Sequence, residues 1–331
     1  MTDHAGSWVP PVCERNLSPI PLRSTIPFGR WLPRSVALWL TNSAPSRARL
    51  YCGQFNELAE ELGVEIVPSF AALLLGDLTL VTDCPEVLGI SAADLEAWKP
   101  HPSRYRAGTK LRYVGPLFAE LSAPVPERVE QFLNAGADRP TVYVAMTSTP
   151  ESLIRGVVQG ARAADVRVVV ASTVHDLDDL AGEDVIVEKI LPSHRIMPRV
   201  NLAIIAGGQG SVQTAMAGGT PFLGIPLQPE QDFNIVEMER HGAARRVSQE
   251  DAISPRMTAM VKEVLGDASF KLAAERIRAI YAKADGPGAA AEAILELVGH
   301  SNRARTTPSG ATWAMTAKTS ASAAASSPPE V

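Results

Sequence analysis

Residues 204–234 read IIAGGQGSVQTAMAGGTPFLGIPLQPEQDFN, and this stretch decides the fold. It joins the apolar run Leu202–Ile205 to the glycine loop at Gly207, Gly208 and Gly210. A small-residue segment at helical spacing follows, closed by Gly218 and Gly219. The apolar run Phe222–Ile225 comes next and stops at Pro226. The order is strand, loop, helix, strand. In open α/β sheets, ligands bind beyond the carboxyl ends of the strands. Glycines there let the backbone approach a ligand, and a helix N-terminus offers unpaired N–H groups and partial positive charge, which suit a phosphate. Ser211 adds a hydroxyl. Taken alone, such a loop reads more readily as a tight turn with Ser211 as helix cap, because a lone glycine motif is a weak signal. The next strand end carries Glu230 and Gln231, an acid and an amide able to hydrogen-bond vicinal sugar hydroxyls.

Outward from this stretch, short β-branched or apolar runs at 141–146, 166–172, 184–188, 201–206 and 222–226 alternate with expected helices near 150–163, 193–198, 210–218 and 231–242. Alternation with near-continuous apolar strands indicates a parallel sheet covered on both faces. Two further helices close this region, one placing Phe270, Ile277, Ile280 and Tyr281 on a stripe, the other in AAAEAILELV. Upstream, ARLYCGQFNELAEELG reads as a helix with Leu50, Phe55, Leu58 and Leu62 on one face and Gly63 as cap. DLTLVTDCPEV and KLRYVGPL read as short strands, and Pro124 and Pro126 break a linker before a helix carrying Val129, Phe132 and Leu133. Residues 1–48 are proline- and arginine-rich and weakly periodic, with RWLPRSVALWL as one buried or partner-facing segment. The expected division is 1–120, 121–300 and a Ser/Thr/Ala/Pro-rich disordered tail, 301–331.

The 331 residues carry net charge −5 and 46% hydrophobic side chains, enough for a sizeable core. Without a basic tract, nucleic acid is not an expected partner. Cys13, Cys52 and Cys84 are widely spaced, with no zinc or disulfide pattern. No apolar run reaches membrane-spanning length and no secretory signal is evident. A cytoplasmic setting is expected, with peripheral membrane contact left open.

From Glu188 to Val247 the sequence resembles the donor-binding signature of GT-B nucleotide-sugar glycosyltransferases. It is similar above all to the UDP-glycosyltransferases, with the bacterial enzymes acting on antibiotics, macrolides and sterols. LPSHRIMPRV, AGGQGS, AGGTP, GIP and EQDFN follow in the family's order and spacing. The resemblance covers roughly residues 48–300. It implies an α/β, GT-B fold with a complete C-terminal Rossmann-like domain and an incomplete N-terminal one. Gly207, Gly208, Gly210 and Ser211 would cradle a diphosphate, with His194 as an added phosphate contact. Glu230 and Gln231 would hold the donor sugar, and Asn234 would brace their loop. Ile190, Leu191, Pro192 and Thr214 would lie on the nucleoside side. Met146, Thr147 and Ser148, after the first strand of the domain, would face phosphates or sugar.

The departures bear on activity. Ala206 stands where the family has a phosphate-contacting histidine, and Thr214 where it has a ribose-binding glutamate. Thr147 replaces a glycine, and Ile190 an aromatic. The resemblance implies about a hundred further residues at the front, including the histidine general base. His4, in an irregular proline-flanked segment, is not expected to supply it, so the catalytic base is unassigned. His101, His175, His241 and His300 read as surface residues, and Asp83 with Glu86 as a solvated carboxylate pair. The implied activity is metal-independent hexose transfer from a nucleotide sugar to a hydroxyl of a small molecule or lipid, with no cofactor. Alternatives are a donor-binding module needing a partner chain for the N-terminal half, or a nucleotide-sugar epimerase. An NAD oxidoreductase is disfavoured, because the glycine loop lies late in the sheet and lacks an acidic ribose partner.

Overall fold

The computed structural model describes residues 2–4, 8–17, 31–49, 52–118, 120–135, 138–147 and 149–305, the segments 2–4 and 300–305 by backbone alone. Residues 1–290 form one compact unit and 291–331 another. The first unit contains two parallel sheets.

The smaller sheet has the order β1 (Thr2–His4), β2 (Leu78–Val81), β3 (Lys110–Tyr113). His4 lies in a strand, with its Cα opposite Val81, and not in irregular chain as expected. Around it come α1 (Pro10–Glu14), α2 (Arg34–Arg47), α3 (Cys52–Leu62), α4 (Phe70–Leu73), α5 (Pro85–Leu88) and α6 (Ala92–Glu96). The helix expected from Ala48 begins instead at Cys52; Leu50, expected to share its face, lies outside the described residues. RWLPRSVALWL belongs largely to α2, which has no acidic residue. Cys13, Cys52 and Cys84 are all buried in this half of the chain.

The larger sheet has six parallel strands in the order β6-β5-β4-β7-β8-β9. They are β4 (Thr141–Ala145), β5 (Arg167–Ala171), β6 (Val185–Glu188), β7 (Leu202–Ile205), β8 (Phe222–Gly224) and β9 (Ala244–Arg246). β9 has too little apolar content to stand out in the sequence. The register aligns Glu188, Ala171, Ala145, Ile205, Gly224 and Arg246 along one carboxyl edge.

The helices connecting these strands are α7 (Glu127–Asn134), α8 (Glu151–Arg162), α9 (Ser193–Ile196), α10 (Gln209–Ala217) and α11 (Pro229–Arg240). α12 (Gln249–Ala252), α13 (Pro255–Gly266), α14 (Ala268–Tyr281) and α15 (Gly286–Arg305) complete the chain, so the closing region holds more helices than the two expected. Residues 301–305 are helical, where a disordered tail was expected to begin, and the rest of that tail lies outside the described residues. Apolar side chains cover both faces of the larger sheet. Val142, Val144, Val168 and Val170 pack on the α8 and α13 side, and Tyr143, Val169, Ala203 and Ile205 on the α10 and α14 side. Alternation of this kind fixes register, because a one-residue slip would exchange the two faces.

Candidate nucleotide-sugar site

The chain runs outward from β4 through β5 to β6, then returns to the other side of β4 as β7. Strand order therefore reverses between β4 and β7, and a crevice opens where the two outgoing loops part. Helix α8 leaves the β4 loop with Pro150 at its N-cap and no side-chain cap. Helix α10 leaves the β7 loop with Gly208 at its N-cap, again with no side-chain cap. Two uncapped helix N-termini thus rise from neighbouring strands at one edge. Each contributes first-turn N–H groups and roughly half a positive charge.

The glycines of the second loop are not equivalent. Gly207 has φ +92°, and a Cβ there would meet Ile235 at 2.5 Å and the Gln231 carbonyl at 2.8 Å. A Cβ at Gly208 or Gly210 would meet nothing within 4 Å. Gly207 lets the loop pack down on α11, while Gly208 and Gly210 border open space. Asn234 on α11 donates through Nδ2 to the Gly207 carbonyl at 3.0 Å and to the Glu230 carboxylate at 2.5 Å. It therefore couples the glycine loop to the first turn of α11.

Glu230 and Gln231 lie in that first turn, not in a loop ahead of the helix. Glu230 is half-buried. Gln231 is 8% exposed, and its Oε1 accepts the Leu227 N–H at 2.8 Å, leaving Nε2 as the end able to donate to a ligand. Ser211 is half-buried in the first turn of α10, and Thr214 one turn on donates to the Gly210 carbonyl at 2.6 Å. Thr147 is exposed at the end of β4, Met146 is buried, and Ser148 lies outside the described residues.

On the nucleoside side, Ile190 is 60% exposed beyond β6. Leu191 instead belongs to the core, and Pro192 is buried as the N-cap residue of α9. Leu191 can position its neighbour but cannot offer its side chain to a base. His194, on α9, is contacted by the Arg195 guanidinium at 3.4 Å; among the described residues no hydrogen bond joins it to the glycine loop.

Six residues outside the sequence-predicted set tie together the loops near this edge. Thr149 is 2% exposed, and its hydroxyl is among the few buried side-chain groups of the described residues without a hydrogen-bond partner. Its carbonyl lies 2.8 Å from His175 Nε2, and the His175 carbonyl accepts from Ser172 Oγ at 2.7 Å. His175 is not the surface residue expected but a half-buried tie between the loops after β4 and β5. Across the crevice, Gln209 donates to Thr82 Oγ1 at 2.7 Å, and Gln213 donates to the Thr82 carbonyl. These bonds join the carboxyl end of β2 to α10. The only sequence signal was polarity: two glutamines among small residues on a helix.

The expected solvated pair at Asp83 and Glu86 divides. Glu86 is exposed, but Asp83 is partly enclosed, accepts from the Tyr281 hydroxyl at 3.2 Å, and has its pKa raised to about 7 by burial. His241, also expected at the surface, is half-buried; its Nε2 lies 2.9 Å from the Val87 carbonyl and 3.4 Å from Glu237, which raises its pKa. Among the described residues no cluster of metal-ligating side chains occurs, and no helix is long and apolar enough to cross a membrane.

Residues 100–287 match the family described as UDP-glucoronosyl and UDP-glucosyl transferase. A PGL/p-HBAD biosynthesis glycosyltransferase of Mycobacterium tuberculosis is 26% identical over 287 residues, covering 86% of this chain and 61% of the relative. The 4'-demethylrebeccamycin synthase of Lentzea aerocolonigenes is 30% identical over 200 residues, 57% of this chain and 45% of that one. Among solved structures, the calicheamicin glycosyltransferase CalG4 superposes with a TM-score of 0.56 at 17% identity, covering 85% of this chain and 70% of the other. That likeness shows a GT-B fold. The chain spans 61% of the length of the mycobacterial relative and less of the synthase.

Proposed function

Since the chain belongs to the UDP-glucoronosyl and UDP-glucosyl transferase family, we propose that it transfers a hexose from a nucleotide sugar, a UDP-sugar, to a hydroxyl of a small-molecule or lipid acceptor. The observation carrying this reading is the pair of uncapped helix N-termini, α8 and α10, at the strand-order reversal. The donor diphosphate would lie against Gly208, Gly210 and Ser211, where no side chain intrudes on the open space beside the glycines. The nucleoside would extend toward Ile190, at the end of β6. Three strand spacings separate β6 from β7, about 14 Å. Glu230 and Gln231 Nε2 would meet the sugar hydroxyls, with Asn234 holding Glu230 in place.

Transfer proceeds by displacement at the anomeric carbon. The acceptor oxygen forms the new bond to the anomeric carbon as the bond to the diphosphate oxygen breaks; the electron pair leaves with the diphosphate, and the acceptor's hydroxyl proton passes to a base, which the described residues do not assign. The transition state is oxocarbenium-like at the sugar, so negative charge grows on the leaving group. Backbone N–H groups fixed before the reaction are best placed to stabilise it, because they need not reorganise. The two helix ends would supply that stabilisation, and no metal is required for it.

Calorimetric titration with UDP and UDP-glucose tests the reading. Gly208→Asp is the informative variant. An aspartate is a favoured N-cap residue and glycine only slightly less so, so the fold should hold or gain roughly a few tenths of a kcal/mol. Its carboxylate would occupy the anion position, and binding should disappear. Equal UDP affinity in the variant and the wild type would remove the diphosphate from this loop. Chelator should leave wild-type affinity unchanged.

A further inference from the structure

Helix α3 faces the wrong way for a core helix. Its small and polar side, Cys52, Asn56 and Ala59, rests on the body of the protein, with Asn56 exchanging hydrogen bonds with the Val67 backbone at 2.7 and 3.1 Å. Its large apolar residues project into solvent: Phe55 is 52% exposed, Leu58 52% and Leu62 66%. The same helix carries Glu57, Glu60 and Glu61, all exposed, and no residue from Cys52 to Leu75 is basic. Helix α2 is its complement. Val36 and Trp39 are exposed, Arg34, Arg47 and the following Arg49 are exposed, and no acid occurs from Trp31 to Arg49. The Arg47 guanidinium lies 5.2 Å from the Trp39 ring centre, so the basic and aromatic groups of this face are neighbours.

One chain thus displays both halves of a complementary pair, an acidic apolar helix and a basic apolar helix, each with its large side chains in water. Exposed apolar groupings rimmed by charge mark association surfaces. A second copy satisfies both halves at once, because a two-fold axis brings each patch to the other's complement. An anionic bilayer does not, since Glu57, Glu60, Glu61 and Glu65 flank the apolar stripe. We propose that the chain forms a two-fold homodimer in which α2 of each protomer seats on α3 of its partner.

Sedimentation of the full chain across the micromolar range is the first test, and a dimer is expected. Leu58→Glu, at an exposed position where folding is not at risk, should weaken the dissociation constant by about tenfold or more, as for loss of a buried anchor. The pairing of unlike helices gives a sharper test. Reversing the arginines (Arg34→Glu, Arg47→Glu, Arg49→Glu) sets acid against acid in a homodimer. Reversing the acids (Glu57→Arg, Glu60→Arg, Glu61→Arg) sets base against base. Each variant should be a folded monomer by circular dichroism and sedimentation, and an equimolar mixture should dimerise, because only the mixed pair has opposite charge at both contacts. A monomeric wild type overturns the proposal. So does a dimer indifferent to Leu58→Glu, or a mixture of folded reversed chains that stays monomeric; vesicle binding by a monomer would assign the face to lipid instead.

Discussion

Gly207 and Gly208 are neighbours with opposite tasks. At Gly207 the backbone is in the left-handed region and Ile235 fills the space a side chain would need. Gly207→Ala is expected to lower unfolding free energy by about 2–5 kcal/mol, combining backbone strain with overpacking, measured by urea denaturation. Gly208→Asp should instead lose the ligand and keep the fold. Asp83 makes a different prediction. Its folded pKa, about 7, stands above the reference 3.8. Between those values the folded chain keeps a proton that the unfolded chain has released, so this group makes stability fall as pH rises. An asparagine side chain at this position would still accept from Tyr281 but carries no titrating proton. Asp83→Asn should therefore match wild type near pH 4 and exceed it above about pH 7. Thermal melts across that range check it, and parallel pH profiles for the two proteins would show that Asp83 does not titrate as described. His241, raised by its bond to Glu237, acts in the same direction: its contribution is full below its unfolded pKa and lost as pH climbs through the folded one.

The His175 imidazole ties the loop after β5 to the Thr149 carbonyl after β4, so His175→Ala should weaken UDP binding several-fold while costing about 1 kcal/mol or less of stability. Calorimetry and a melt on the same variant separate the two effects. These elements also show what a sequence discloses. Strands β4 to β8 were legible because Val142 to Val144, Val168 to Val170 and Leu202 to Ile205 are buried on both faces and so leave uninterrupted apolar runs. β9 was not, because Arg245 and Arg246 need only cover an edge. The turn at Gly207 and Gly208 before a helix, and the placing of Glu230 and Gln231 beyond the next strand, were legible from order and spacing, whereas the side chain of Leu191, read as facing a nucleoside, packs into the core. Helix α3 shows the limit most plainly. Period 3.6 finds its apolar stripe, but nothing in the period says which side of a helix meets the body of the protein. Asp83 and His175 read as solvated in the sequence because their partners, Tyr281 and Thr149, lie far away along the chain.

Both sheets of the first unit meet through the end of β2. Gln209 and Gln213 reach Thr82, Tyr281 reaches Asp83, and Arg240 and His241 both reach the Val87 carbonyl. Three helices of the larger sheet therefore hold one short segment of the smaller. Gln213→Leu removes the amide that donates to the Thr82 carbonyl, and it should cost about 1–3 kcal/mol; a loss confined to the noise of urea denaturation would mean that Thr82 is held adequately by Gln209. The cysteines lend this junction a practical use. All three lie in the first 84 residues, all are buried, and burial pushes the thiols of Cys13 and Cys84 up to about 12, so a thiolate reagent finds none of them in the folded chain. The larger sheet and its helices contain no sulfhydryl at all. A chromogenic thiol reagent therefore acts as a clock for one half of the molecule: its rate counts the moments when the smaller sheet opens, and how far a bound nucleotide slows it reports how tightly occupancy of one sheet's edge restrains the other.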